Sequence, residues 1–255
     1  MGCFIARNLE IYLAFLKLTS ADIICLQEVS PIRQECTPET LTNPDDLQAL
    51  NYDYVIQRMR DEGWEHNLLA NATGERDYAL NPRGCYYPLA NAIFSRNPLT
   101  DKKVVILPGN RNILIATVVL DGIPTMIVNT HLEYKKKDKD SDALKREYGE
   151  ENILVLQANL TLETIIRELG HRNLTSVICC GDFNFNLYKP KHLAEINKYF
   201  KFGKQKAITN IFFDDTNDYV LLNTDKEWSV IDNRPLVNAI SDHFPVLLDL
   251  VPTIS

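Results

Sequence analysis

Seven residues of chemically capable type, Glu28, His131, Asp182, Asn184, Asp232, Asp242 and His243, fall at or just beyond the ends of apolar runs. In layered α/β proteins such strand ends gather on one rim, where rigid elements hold side chains in register. Carboxylates, an amide and histidines sharing a rim suit hydrolysis of a phosphate ester. Attack on phosphorus needs a hard cation to offset charge on the phosphoryl oxygens, and Mg²⁺ takes one or two carboxylates while keeping several waters. Glu28 suits that role. A nucleophilic water needs a base near neutral pH, which histidine can supply, and a carboxylate must orient the imidazole. An amide or a second histidine would hold the non-bridging oxygens.

Taken singly, these signals are weak. A strand-end glutamate is more often solvated, a lone histidine more often structural, and Gly181-Asp182 can be a plain turn. Their joint occurrence in order along the chain carries the reading.

The elements that must position them follow from periodicity. Leu9, Tyr12, Leu13 and Leu16 recur at helical spacing, and a buried strand then runs over Asp22–Leu26 into Gln27-Glu28. From Ile32 to Pro88 the chain reads as polar surface loops, with a helix over Pro44–Leu50 and a short strand over Tyr52–Gln57. Short strands follow at Ala92–Arg96 and Lys103–Leu107. Asp121-Gly122 between the β-branched runs Asn112–Leu120 and Ile123–Thr130 predicts a tight hairpin that delivers His131 to a strand end. An amphipathic helix over Glu151–Leu169, a strand over Ser176–Cys180 and a helix over Pro190–Phe200 come next. Three strands close the chain, at Trp228–Asp232, Leu236–Ile240 and Pro245–Leu250. No repeat or linker interrupts this order, so residues 1–255 are expected to form one domain.

Composition narrows the class. The 255 residues are 45% hydrophobic and 24% charged, which excludes disorder, collagen and coiled coil. A formal charge of −7 gives no long-range pull toward nucleic acid or anionic membrane, so a polyanion must be met by a local patch. Lys135–Lys139 and Lys189 with Lys191 are candidates for that patch, against the plainer reading of solvated loops. Trp64, Tyr86-Tyr87 and Tyr134 are candidates for base stacking, against the plainer reading of loop anchors. No apolar run is long enough to span a membrane, and the N-terminus lacks a signal-peptide pattern. Six cysteines without metal-ligand spacing read as reduced residues, and the chain is expected to be soluble and cytoplasmic.

The segments Asp22–Val29, Asn91–Arg96, Asn129–Leu132, Gly181–Asn184, Val230–Asp232 and Ser241–Val246 occur in an order that resembles the endonuclease/exonuclease/phosphatase superfamily, nearly over the full length. The resemblance implies a four-layer α/β (α+β) sandwich, two packed mixed β-sheets flanked by helices, with the site on one rim. It implies Mg²⁺, with Mn²⁺ as a substitute, held by Glu28 with Asp242 nearby. It implies that Asp182 positions or deprotonates the attacking water, that Asn184 holds phosphate or metal-bound water, and that His243 lies on the scissile phosphate. Asp232 would orient His243, and His131 would be the second histidine on the phosphate. The superfamily opens with a central strand ending in an asparagine, and no residue here matches it. Either the chain begins further upstream or the sheet lacks that first strand.

The expected activity is metal-dependent hydrolysis of a phosphoester, in a nucleic acid, a phosphorylated small molecule or a lipid headgroup. The rivals are a phosphoinositide or lipid-headgroup phosphatase, and a non-catalytic binding protein of the same fold.

Overall fold

The computed structural model describes residues 9–29, 52–71, 78–80, 86–88, 90–109, 111–133, 152–185, 194–201, 209, 216–224, 228–236 and 243–253. Helix α1 (Leu9–Thr19) buries Leu9, Tyr12, Leu13 and Leu16, the stripe expected from a 3.6-residue period. It stops where Ser20 turns left-handed at φ 52° and the Thr19 hydroxyl donates to the Leu16 carbonyl at 2.7 Å. Strand β1 (Ile23–Val29) follows.

Helix α2 (Asp53–Asp61) occupies the stretch where alternating Tyr52, Tyr54 and Ile56 suggest a strand. The deciding pattern is Tyr52, Val55 and Met59, buried at helical spacing on the core. Strands β2 (His66–Asn71), β3 (Tyr78–Leu80) and β4 (Tyr86–Pro88) add order to a region that reads as loops. The helix expected over Pro44–Leu50 lies outside the described residues.

Strands β5 (Ala90–Ser95), β6 (Leu99–Leu107), β7 (Arg111–Leu120) and β8 (Ile123–His131) come next. The β7–β8 turn is two residues long, with Asp121 at φ 47° and Gly122 at φ 81°. Two successive positive φ angles match the twist of the flanking strands, which is why Asp-Gly marks such hairpins. Helix α3 (Ile153–Arg172) then crosses from β8 to β9 (Val177–Asp182), which pairs parallel to it. Asn152 caps α3 by accepting from the Leu154 amide at 3.1 Å, and Asn173 ends it in the left-handed conformation. Helix α4 (Ala194–Tyr199) precedes β10 (Asp218–Asn223), and β11 (Trp228–Pro235) with β12 (Val246–Pro252) forms the last hairpin.

The strands form a three-stranded sheet of order β1-β5-β2 and a five-stranded sheet of order β10-β9-β8-β7-β6, with β11-β12 and β3-β4 as separate pairs. Ile93 of the first sheet packs on Leu114, Ile127 and Ile178 of the second, so their inner faces form the central core. Leu13 and Val55 of α1 and α2 cover Ala92 and Phe94 on one outer face. Leu154, Ile165 and Ile196 of α3 and α4 cover Ile113, Val128 and Tyr219 on the other. The result is four layers, helix, sheet, sheet, helix. Among the described residues no helix is long and apolar enough to cross a membrane.

Candidate active site

The rim is assembled by strand pairing. In the parallel β8–β9 ladder His131 lies opposite Asp182, and in the antiparallel β9–β10 ladder Asp182 lies opposite Asp218. The last residues of two strands and the first residue of a third therefore stand side by side. Backbones approach closely beneath them: a Cβ added at Gly181 would sit 2.1 Å from the Thr130 carbonyl oxygen. Only glycine fits there.

One buried amide joins this rim to the other sheet. Asn129 on β8 donates through Nδ2 to the carbonyls of Leu26 and Ala92, each at 2.9 Å, and its Oδ1 accepts from Gln27 Nε2 at 2.6 Å. Those bonds fix the end of β1, where Glu28 sits. Strand alternation breaks at that point, since the β1–β5 register shifts between Leu26 and Val29 and Glu28 is left-handed at φ 55°. A bulge of this kind re-aims side chains at the border of a sheet.

His243 is bound to Asp218, Nδ1 to Oδ2 at 2.8 Å, with Asp182 Oδ2 at 3.8 Å from the same nitrogen. His131 lies on the other side of Asp182, with Nε2 at 3.7 Å from Oδ2, and its Nδ1 is 3.3 Å from Nη1 of Arg111. Asp182 also accepts from the Asn184 amide at 2.8 Å, while the Asn184 side chain donates to the Leu132 carbonyl at 2.7 Å. Thr209 pins the group from below. Its hydroxyl accepts from the amides of Asn217 and Asp218 at 2.9 and 3.0 Å, and its carbonyl accepts from the Phe244 amide at 2.7 Å.

Burial sets the charges. Asp182 is pushed up to about 7, first by burial and then by the neighbouring Asp218 carboxylate. Burial pulls His243 down, but the Asp218 hydrogen bond and the two carboxylate charges outweigh it and leave the imidazole raised. His131 is held well below the usual range by burial, with the Arg111 charge adding to it. Two histidines about one carboxylate are thus driven in opposite directions, the arrangement that separates acid from base roles.

The structure brings His131, Asp182, Asn184 and His243 together and ties Glu28 to the same rim through its neighbour Gln27. It does not bring Asp232. That carboxylate pairs with Arg234 and stands opposite Asp249 in the β11–β12 pair. The expectation that Asp232 orients His243 is corrected: Asp218 holds that place. Asp218 opens its apolar run Tyr219–Leu222 instead of closing it, and an antiparallel strand begins where its parallel-fed neighbour ends. Asp242 lies outside the described residues, as do Lys135–Lys139, Lys189, Lys191 and Tyr134. Trp64 is no stacking platform, being fully buried with its indole N–H on the Ala21 carbonyl at 2.9 Å and Arg96 over its ring.

A cleft of about 680 Å³ is lined by Gln27, Asp218 and His243 of this rim together with Cys25, Ile127 and Leu248. Carboxylate and imidazole atoms of Asp182, Asp218 and His243 lie within 4.8 Å of one another and could hold a metal ion.

The sequence profile of the Endonuclease/Exonuclease/phosphatase family matches residues 8–243. The chain belongs to this family. Solved structures agree with that membership at the level of fold. The catalytic domain of human Nocturnin with bound sulfate superposes with a TM-score of 0.64 at 18% identity, covering 97% of this chain and 87% of that one. D. rerio TDP2 complexed with a single-strand DNA product gives 0.55 at 14%, covering 97% and 93%. A mannosyl-6-phosphatase of Bacteroides thetaiotaomicron gives 0.59 at 16%, covering 98% and 92%. No curated protein sequence matches the chain. The four-layer sandwich expected of an Endonuclease/Exonuclease/phosphatase family member is the fold observed.

Proposed function

We propose that the protein is a divalent-metal-dependent phosphoester hydrolase acting through an activated water. The observation that carries this reading is the Asp182–His243–Asp218 group, with its 2.8 Å His243–Asp218 bond, beside His131 on the rim of this family's fold. The matched structures include a complex with a DNA product and a sugar phosphatase, which supports a phosphoester as the substrate class.

Each residue has a task that its surroundings suit. Asp218 fixes the proton of His243 on Nδ1 and stabilises the imidazolium, which suits Nε2 to act on a phosphoryl oxygen or the leaving oxygen. Asp182, raised to about 7, exchanges a proton readily at neutral pH, and it shares proton traffic with His243 while the water attacks in line. Asn184 is held rigidly enough by Leu132 to orient a phosphate oxygen or a water.

The donor chemistry fits a hard cation such as Mg²⁺ or Mn²⁺. The rim offers carboxylate oxygens, while the nearby Cys25 thiol is held protonated, its pKa raised by its hydrogen bond to Cys180 and by burial, and so disfavours softer metals. Glu28, with Asp242, would hold the ion, and when bound it would neutralise charge developing on the phosphoryl group.

The test is hydrolysis of a panel of single-stranded and duplex DNA, RNA, a sugar phosphate, a phosphoinositide, sphingomyelin and a generic phosphodiester. Each is run with Mg²⁺, with chelator and with His243→Ala. Metal-dependent cleavage lost in the variant supports the reading and names the substrate. No turnover by a folded chain overturns it in favour of a binding protein of the same fold.

A further inference from the structure

The two histidines of the rim have opposite partners at Nδ1. His243 presents that nitrogen to the Asp218 carboxylate, whereas His131 presents it to the Arg111 guanidinium at 3.3 Å. A guanidinium carries donors only. The Nδ1 that receives it must therefore offer a lone pair, and the ring proton must lie on Nε2, the nitrogen facing Asp182 Oδ2 at 3.7 Å.

Arg111 is itself held in place. Its Nε and Nη2 reach the two oxygens of Glu133 at 3.3 and 3.5 Å. The Glu133 amide donates to Gln157 Oε1 at 2.7 Å, and Gln157 Nε2 donates to the Pro108 carbonyl at 2.6 Å. Gln157 is fully buried on α3, so the guanidinium is braced from the long helix behind the sheet.

We propose that Arg111 is a positioning residue that locks His131 as the neutral Nε2–H tautomer, fitting it to donate to a phosphoryl oxygen and unfitting it as a proton acceptor. The catalytic half of this inference rests on the hydrolase reading, while the tautomer stands without it. Proton transfer then falls to the side of the rim where a carboxylate backs the imidazole, and His131 serves as a fixed dipole. Nothing in the contact sorts substrates, so Arg111 acts on turnover and not on affinity.

The experiment is a long-range ¹H–¹⁵N correlation spectrum of the full chain with labelled histidine at neutral pH. His131 is identified by its loss in His131→Gln. The wild-type ring is expected to show Nε2–H with a bare Nδ1, Arg111→Met to show mixed tautomers or the cation, and Arg111→Lys to keep much of the wild-type pattern. An Nδ1–H ring in the wild type, or an unchanged ring in Arg111→Met, overturns the proposal. Should Arg111→Met fail to fold, Glu133→Gln loosens the same guanidinium from outside the ladder and is read in the same way. On any substrate found in the panel, Arg111→Met is expected to lower kcat by on the order of 10–100-fold with little change in KM, as with other groups that orient an imidazole. A loss confined to KM would also overturn it. If the panel gives no turnover, the hydrolase reading fails and the spectrum still decides the tautomer.

Discussion

Asp218 touches His243 at 2.8 Å and is itself buried, so removing its charge takes away the support of the protonated imidazole. Asp218→Asn keeps the shape and one acceptor oxygen but loses the charge that stabilises the imidazolium. It is expected to cut kcat by about 10²–10⁴-fold, the range for a displaced general acid or base, with KM much less affected; steady-state kinetics at saturating metal read this directly. Asp232→Asn, by contrast, removes only an outlying partner of Arg234 and should leave kcat near wild type. Asp182 carries a second expectation. Its folded pKa of about 7 lies above the ordinary carboxylate value, so the folded state holds a proton that the unfolded chain has lost. Stability therefore falls as pH rises from about 4 through about 7. In Asp182→Asn that part of the slope should vanish. Urea midpoints of both proteins, taken across this range in chelator, would contradict the assignment if their difference were constant with pH. At this scale the sequence shows Glu28, His131, Asp182 and His243 because each closes an apolar run. It hides Asp218, which opens one, and Arg111, which looks like the first polar residue before a strand.

The elements that carry these groups were legible where one face is buried and local turn chemistry is explicit. Helix α1, the Asp121-Gly122 hairpin, helix α3 and strand β9 follow from spacing and turn residues alone. Helix α2 did not, because Tyr52, Tyr54 and Ile56 alternate while the burial that decides the matter is tertiary. Nor did the pairing of Asn129 with Leu26 and Ala92, which joins residues a hundred positions apart. Two substitutions test this scaffold. Gly181→Ala forces a methyl against the Thr130 carbonyl and should cost about 1–3 kcal/mol while lowering turnover, since His131 and Asp182 flank that contact. Asn129→Leu strands two carbonyls and Gln27 in the core, and a loss on the order of 1–3 kcal/mol per stranded group is expected. Chemical denaturation measures both. An unchanged midpoint for either would mean that the backbone is free to shift where the close contacts say it is not.

Taken whole, the molecule is a pair of sheets clamped between helices, with the candidate site on one border. Its net charge of −7 gives no long-range pull on a polyanion, so on the hydrolase reading substrate capture falls to the rim itself. Chelation is accordingly expected to abolish turnover while leaving the circular dichroism spectrum and the melting temperature nearly unchanged, because the layers are held by apolar cores. The far border of the five-stranded sheet has a different task. Strand β6 is its last member among the described residues, and a strand that ends a sheet invites another chain to continue it. Here the β6–β7 register slips between Thr100 and Lys103, Asp101 turns left-handed at φ 46°, and Lys102 and Lys103 are tied to Asn67 and Glu168. Beyond that kink Val104 and Ile106 are 40% and 50% exposed. The bulge and its lysines thus guard one half of an otherwise sticky border, and straightening it would open the whole border to stacking at high concentration.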